Sequence, residues 1–243
     1  MNTKLLKSVL GLALVMLLIS ACGIAPIFGS GKVVTETRQV SGFDRLSVSG
    51  GGDLIIIQDG TESVTVETDD NLMQYLVAEV RGNTLHLYLD NNGINNFQPT
   101  RLVFTVHVKD LTGVTASGSW KVTSKQLATT SLDLYVSGSG NITIDSLTTD
   151  KLLVDISGSG ELTAAGTATD QEIRISGSGK ISAADLKSET AQVTVSGSGK
   201  GTLWVTESLS VDISGSGNVR YYGNPQTNIN TSGSGSVERL GDK

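Results

Sequence analysis

Cysteine and histidine are nearly absent from this 243-residue chain, which has one Cys (Cys22) and two His (His86 and His107). A single cysteine excludes an intramolecular disulfide. With no cysteine cluster and no His-x-x-x-His spacing, a transition-metal site has no ligand set to build on. Each histidine sits between aliphatic residues, in Leu85-His86-Leu87 and Val106-His107-Val108, the pattern of an outward-facing strand position. Proline is scarce too, at 3 residues, which argues against a proline-rich linker, and aromatic residues make up only 5% of the chain. Small β-branched and hydroxyl residues take their place, as expected where strands stack in thin layers. Basic residues are outnumbered 18 to 24, for a formal charge of −6. An acidic surface repels nucleic acid and offers no polybasic patch for lipid headgroups. No glycine-x-serine-x-glycine elbow is followed by a helix, so a serine hydrolase has no nucleophile turn. No cofactor fingerprint is present.

The N-terminus reads as an export signal of residues 1–21. Lys4 and Lys7 supply a positive start, and the apolar run that follows is too short to favour a permanent membrane span. The run ends in Ile19-Ser20-Ala21-Cys22, which resembles a bacterial lipobox. That resemblance implies a diacylglyceryl group on the Cys22 thiol and cleavage before Cys22. Two or three acyl chains, at about 0.8 kcal/mol per buried methylene, hold a protein on a membrane where one does not. Removing Lys4 and Lys7 leaves 16 basic and 24 acidic residues, or −8. Residues 22–32 read as a tether, and the expected location is the bacterial cell envelope, outside the cytoplasm.

What the chain has in abundance is glycine, 29 residues, arranged as a repeat. Ser-Gly-Ser-Gly occurs at 137–140, 157–160, 176–179, 196–199, 214–217 and 232–235, with a broken copy, Ser117-Gly118-Ser119-Trp120, before them. The starting serines from 117 onward are spaced 20, 20, 19, 20, 18 and 18 residues apart. One and three residues before each copy lie aliphatic pairs such as Val136/Leu134, Ile156/Val154 and Ile175/Ile173. Two and four residues before it lie mostly polar residues: Tyr135/Asp133, Asp155/Leu153, Arg174/Glu172, Thr194/Gln192, Asp212/Ser210 and Asn230/Asn228. Five residues after it runs another mainly apolar column, Ile142, Leu162, Ile181, Gly201, Val219 and Val237. Period-two alternation on either side of a glycine corner, repeated every 18–20 residues, describes one coil of a β-solenoid. The predicted fold is therefore all-β, a right-handed parallel β-helix in which glycine turns the corners and serine hydroxyls bond along the column or to local backbone. A sandwich of hairpins is the alternative, since Gly-Ser turns also close hairpins.

Residues 33–240 are predicted to form one solenoid, with a less regular part at 33–110 and regular repeats at 111–240. Within the first part, Asp53-Leu-Ile-Ile-Ile-Gln58 reads as a strand buried on both faces, and residues 71–76 as a short helical turn after an Asp/Asn cap. Trp120 should cover a corner or the join with the N-terminal part. The short charged ending after the last copy can cap the last coil, whereas a coil left uncapped is an edge that would allow end-to-end self-association.

The segment Phe43-Asp44-Arg45-Leu46-Ser47-Val48-Ser49-Gly50, the serial V-x-V-S-G-S-G repeats and the Ser-Gly-Ser-Gly-Ser-Val finish resemble the DUF2807 group, the "putative auto-transporter adhesin head (GIN) domain". The resemblance spans about residues 33–240. It implies an exported bacterial module with a parallel β-helical fold, and it supplies no catalytic or binding residues. Chemistry must then be sought in the outward columns. The residue after each motif (Asn141, Glu161, Lys180, Lys200, Asn218, Ser236) is never aspartate, so there is no calcium ladder. Asp69, Asp70 and Asp90 are the remaining place for an isolated cation, although a solvated acidic loop is the ordinary explanation. The column containing Tyr135, Asp155, Arg174 and Asp212, with Tyr221 and Tyr222 taken to lie nearby, is the candidate face for a glycan or protein ligand. Its ordinary alternative is a row of cross-coil ion pairs, such as Asp155 with Arg174, contributing up to about 1 kcal/mol each. The predicted function is a non-enzymatic envelope lipoprotein with an adhesive or scaffolding face. The alternative is a polysaccharide lyase or hydrolase on the same fold.

Overall fold

The computed structural model describes residues 26–90 and 96–243. Short β1 (Ile27–Phe28) and β2 (Val33–Arg38) lead into the long strand β3 (Arg45–Gln58). There follow β4 (Ser63–Asp69), a single 3-10 turn (Met73–Tyr75), β5 (Leu76–Arg81), β6 (Thr84–Leu89), β7 (Phe97–Gln98) and β8 (Leu102–Val108). The repeat region contains β9 (Gly113–Ser124), β10 (Leu127–Gly138), β11 (Asn141–Gly158), β12 (Glu161–Gly177), β13 (Lys180–Gly197), β14 (Lys200–Gly215), β15 (Asn218–Tyr222), β16 (Gln226–Gly233) and β17 (Ser236–Gly241). The chain is nearly all strand, and its repeats stack as parallel coils of a β-solenoid of about 6 turns.

One coil shows how the sequence makes a three-sided layer. Residues 141–144 form the first side, 147–149 the second and 151–158 the third, each pairing in parallel with 161–164, 166–168 and 170–177 of the next coil. The chain bends between the first two sides at Asp145 and Ser146, where the register slips. Alternation then dictates burial: Ile142, Ile144, Leu147, Leu152, Val154 and Ile156 are all at most 2% exposed, and equivalent residues in neighbouring coils continue the core along the axis. This parallel coil-on-coil register excludes the hairpin sandwich.

The two glycines of each corner serve different needs. Gly177 has φ +122°, and a Cβ there would lie 2.6 Å from the Gly158 carbonyl oxygen of the preceding coil. Gly179 has no such φ, but its Cβ would lie 2.6 Å from Ile156 Cγ2. The first glycine turns the chain, and the second lets the corner close on the core. Backbone joins successive corners: the Ser178 and Lys180 N–H groups donate to the carbonyls of Gly158 (2.8 Å) and Gly160 (2.9 Å). The expected ladder of serine hydroxyls gives way to this backbone ladder, because both corner serines point to solvent.

The N-terminal part departs from the coil plan. β4 runs antiparallel to both β8 and β2, and β5 antiparallel to β6, while β3 joins the parallel stack through β9 and β6. These antiparallel strands form a cap over the first coil. Trp120 sits at the join, 1% exposed, with its ring centroid 5.8 Å from that of Phe104 of β8. The strand from Asp53 to Gln58 is buried on one face only. Leu54 and Ile56 face the core, but Ile55 and Ile57 are 39% and 37% exposed, since no layer covers that side of β3. The turn at 73–75 is capped by Leu72 without a side-chain bond. Asn71 instead uses its amide on the N-terminal segment.

At the far end β16 is exposed along its whole length, and Ile229, an inward position elsewhere in the repeat, is 44% exposed because no further coil covers it. This is the edge on which the expected end-to-end association would have to form.

Candidate functional site

The third side of the coil is the broadest, and its outward residues line up in columns. In a parallel stack identical register positions sit about 4.8 Å apart along the axis, and alternate residues on a strand about 6.6 Å apart across it. The column Tyr135, Asp155, Arg174, Thr194, Asp212, Asn230 is continuous by register, and it extends through Thr115 to Ser47. The four residues expected from sequence thus share one face. Tyr221 and Tyr222 do not belong to it. They sit on the first side, paired with Leu203 and Trp204, and Tyr221 is buried.

Two further columns run beside the first. One contains Arg45, Gly113, Asp133, Leu153, Glu172, Gln192 and Ser210. The other contains Ser131, Lys151, Asp170, Thr190 and Ser208, and it was missed in the sequence. Its signal was there: these residues stand six places before each motif serine. Between these two columns lies a groove of about 510 Å³ that crosses the coils.

Most charges on this face are engaged within it. Arg45 Nη2 bonds Asp133 Oδ2 at 3.0 Å, and Arg174 pairs with Glu172 of its own strand. The expected Asp155–Arg174 pair is therefore replaced by a same-strand one, since residues two apart on a strand point the same way. Thr190 donates its hydroxyl to Asp170, and Asn230 Nδ2 donates to Asp212 Oδ1 at 3.2 Å. Among the described residues, the side chains of Tyr135, Lys151 and Asp155 have no hydrogen-bond or ion-pair partner. Tyr135 and Asp155 adjoin on neighbouring coils, Lys151 stands two columns away on the same strand as Asp155, and Tyr135 is 37% exposed.

The N-terminal cap holds carboxylates whose acidity the fold strengthens. The Thr61 hydroxyl, then His107, hold Asp59 at a pKa of about 2 instead of 3.8, and His107 Nδ1 lies 2.7 Å from Asp59 Oδ2. Lys109 lowers Glu62, and Ser30 with Lys32 lowers Asp70. Asp69 is fully buried. Burial raises its pKa, but bonds from the Thr100 hydroxyl and from the Thr100, Gly31 and Arg101 amides outweigh that and leave it lowered. The candidate cation site at Asp69 and Asp70 is thus surrounded by donors that tie down the chain at 29–32 and 100. Asp90 donates its amide N–H to the Tyr75 carbonyl at 2.7 Å. Among the described residues, no three His, Cys, Asp or Glu side chains converge as metal ligands, and no helix is long and apolar enough to cross a membrane.

A parallel β-solenoid with a polar, groove-bearing third side is the class these features define. The chain belongs to the DUF2807 family, described as "Putative auto-transporter adhesin, head GIN domain", which matches residues 42–225. A crystal structure called a "putative adhesin", from Bacteroides fragilis NCTC 9343, is 27% identical with TM-score 0.83, covering 88% of this chain and 100% of that one. One from Parabacteroides distasonis ATCC 8503, called a "putative lipid binding protein", is 27% identical with TM-score 0.73 over 89% of this chain and 100% of that one. A "putative adhesin" from Parabacteroides merdae ATCC 43184, at 24% identity and TM-score 0.72 over 88% of this chain and 98% of that one, shares the fold. No curated protein matches the chain.

Proposed function

We propose that this protein is a lipid-anchored, non-enzymatic binding module of the bacterial envelope, attached through Cys22, whose third side holds an extended glycan. The observation that carries this reading is the groove of about 510 Å³ between two polar columns, lined in part by the Lys151 side chain, with Tyr135 and Asp155 unpartnered in the column beside it. An exposed tyrosine ring is a stacking platform for a sugar, and hydroxyl, amide and carboxylate groups repeating every coil suit a polymer whose own groups repeat. The lipobox at 19–22 and the adhesin-type family support the location and the binding role.

The enzymatic alternative needs a free acid and base on opposite sides of a scissile bond. On this face Asp133 and Glu172 are each taken up by an arginine, Asp170 by Thr190 and Asp212 by Asn230, which leaves Asp155 alone. The test is a glycan array probed with the secreted Cys22→Ser chain. Retention of an extended glycan, lost in the Tyr135→Ala/Asp155→Ala variant, is the expected result. Equal retention by the variant, or retention of nothing, rejects this face as the site. Release of new reducing ends from the retained polymer selects the enzyme.

A further inference from the structure

The N-terminal segment read as a tether is largely fixed to the fold. β1 pairs in parallel with β7, Ile27 beside Phe97 and Phe28 beside Gln98. The Asn71 amide donates to the Phe28 carbonyl (2.9 Å) and accepts from the Ser30 amide (2.9 Å), while Ser30 Oγ donates to Asp70 Oδ1 (2.6 Å). Gly31 donates to Asp69 Oδ1 at 2.8 Å. At Gly29 a Cβ would lie 2.2 Å from Asp69 Oδ2, so the backbone rests directly on the buried carboxylate.

This fixing leaves Phe28 outside. It is 62% exposed, more than any other large hydrophobic residue among the described ones, of which Ile229 at 44% is next. On the opposite face of this short pair, Ile27 and Phe97 are half-buried, and so is Tyr75, whose ring lies 5.0 Å from that of Phe97. In an acidic chain with 4 phenylalanines in all, holding one in water by a set of hydrogen bonds calls for an apolar partner. The chain length names it. From Cys22 to Ile27 is five residues, at most about 18 Å when fully extended. An acyl anchor at Cys22 sits at the lipid–water boundary, so this aromatic corner cannot be far from that boundary.

We infer that the N-terminal cap docks on the membrane interface, with the exposed Phe28 inserted among the headgroups. This rests on the proposed lipid anchor at Cys22. Aromatic residues favour that depth of a bilayer, and a short anchor makes their contact with it intramolecular and hence cheap in entropy. The consequence is an orientation. Along the first side, ten strand spacings separate β2 from β17, which places the last coil about 48 Å from the cap. The solenoid stands on its N-terminal end, and the third-side groove runs along its height.

The test uses the acylated full mature chain in vesicles of phosphatidylethanolamine and phosphatidylglycerol. Because acylation consumes the only native thiol, Phe28→Cys and Asn228→Cys each accept one environment-sensitive dye. The dye at 28 should shift to the blue and be quenched several-fold by headgroup-labelled nitroxide lipid, while the dye at 228 should report water. Water at both positions, on chains that carry a fatty-acid label at Cys22, overturns the docking and spares the anchor. Chains without that label, which would also accept dye at Cys22, overturn both.

Discussion

Replacing Gly201 with alanine should stabilise this protein, although replacing the corner glycines should cripple it. Gly201 occupies a buried position in the column Ile142, Leu162, Ile181, Gly201, Val219, where each neighbour contributes an aliphatic side chain. A Cβ there would meet nothing within 4 Å, and its φ lies outside the positive range. Alanine restricts the unfolded chain, worth about 0.4–1 kcal/mol, and buries a methyl group, worth about 0.8 kcal/mol. Gly201→Ala should therefore gain about 1–2 kcal/mol. At Gly177 the same methyl meets a φ of +122° and the Gly158 carbonyl oxygen at 2.6 Å. Backbone strain of about 1–3 kcal/mol and overpacking of about 1–3 kcal/mol combine to a loss of about 2–6 kcal/mol. Gly179→Ala meets Ile156 Cγ2 at 2.6 Å without the strain, so its cost should fall between the other two. Urea denaturation of the secreted Cys22→Ser chain and its three variants, followed by far-ultraviolet circular dichroism, ranks the midpoints. A midpoint lowered by Gly201→Ala, or left unmoved by Gly177→Ala, would refute this account of the corner and the column.

Trp120 buries an indole Nε1–H without a partner, so Trp120→Phe should change stability by only about 1 kcal/mol, because it removes an unsatisfied donor along with some volume. Trp120→Ala should cost about 3–5 kcal/mol, and equal melting shifts for the two would contradict the packing described. Asp69→Asn should cost about 2–4 kcal/mol through weakened charge-assisted bonds, read as faster amide exchange at Gly31 and Thr100. Asp59, Glu62, Asp69 and Asp70 all have pKa values below their ordinary ones. Their contribution is thus present above their ordinary values of 3.8 to 4.5 and is lost as pH falls through their lower folded values, about 2 for Asp59. Hydrogen exchange at pH 3 should open the N-terminal cap before the coils, and coils that open first would reverse the sign of the argument. Cys22→Ser should abolish fatty-acid labelling of cells expressing the full chain, and persistent labelling would remove the anchor.

The solenoid was legible because its determinants are local and periodic. Aliphatic pairs flank each corner, and two glycines recur in one register, so the inward columns could be written down from spacing alone. The cap was not legible in the same way, because its determinants are distant partners. Nothing around Ile55 says that the first side of β3 lies uncovered, since four consecutive apolar residues fit a two-sided burial as well as a one-sided one. Asn71 looked like a helix cap because its neighbours fit one, yet its amide is used 41 residues away, on Ser30. On the candidate face, register placed Tyr135, Asp155, Arg174 and Asp212 in one column correctly. The pairing of Arg174 escaped, because a strand offers it Glu172 on the same side as readily as Asp155 on the next coil.

That distinction bears on where binding can reside. Inward positions must repeat, because each coil is the template on which the next one packs, and any change there is felt by two neighbours. Outward positions are released from this constraint, so differences from coil to coil along the third side can be fitted to a ligand at little cost to the fold. The sequence of that side changes character along the axis: charged Asp133, Lys151, Asp155, Asp170, Glu172 and Arg174 crowd the middle coils, and Ser208, Ser210, Asp212, Asn228 and Asn230 follow towards the open end. A protein standing on its N-terminal cap would present the weakly charged coils outermost and the charged, partly paired ones closer to the membrane. A charged glycan would then be met first by the hydroxyl and amide groups of the tip, and Tyr135, Lys151 and Asp155 would engage it only as it lies down along the third side. Salt should accordingly weaken capture through Lys151 and Asp155 while leaving initial contact at the last coils unchanged. Binding measured in 0.05 M and 0.5 M salt to the whole chain and to its Lys151→Ala/Asp155→Ala variant separates the two, and equal salt dependence of both proteins would remove the charged cluster from the binding path.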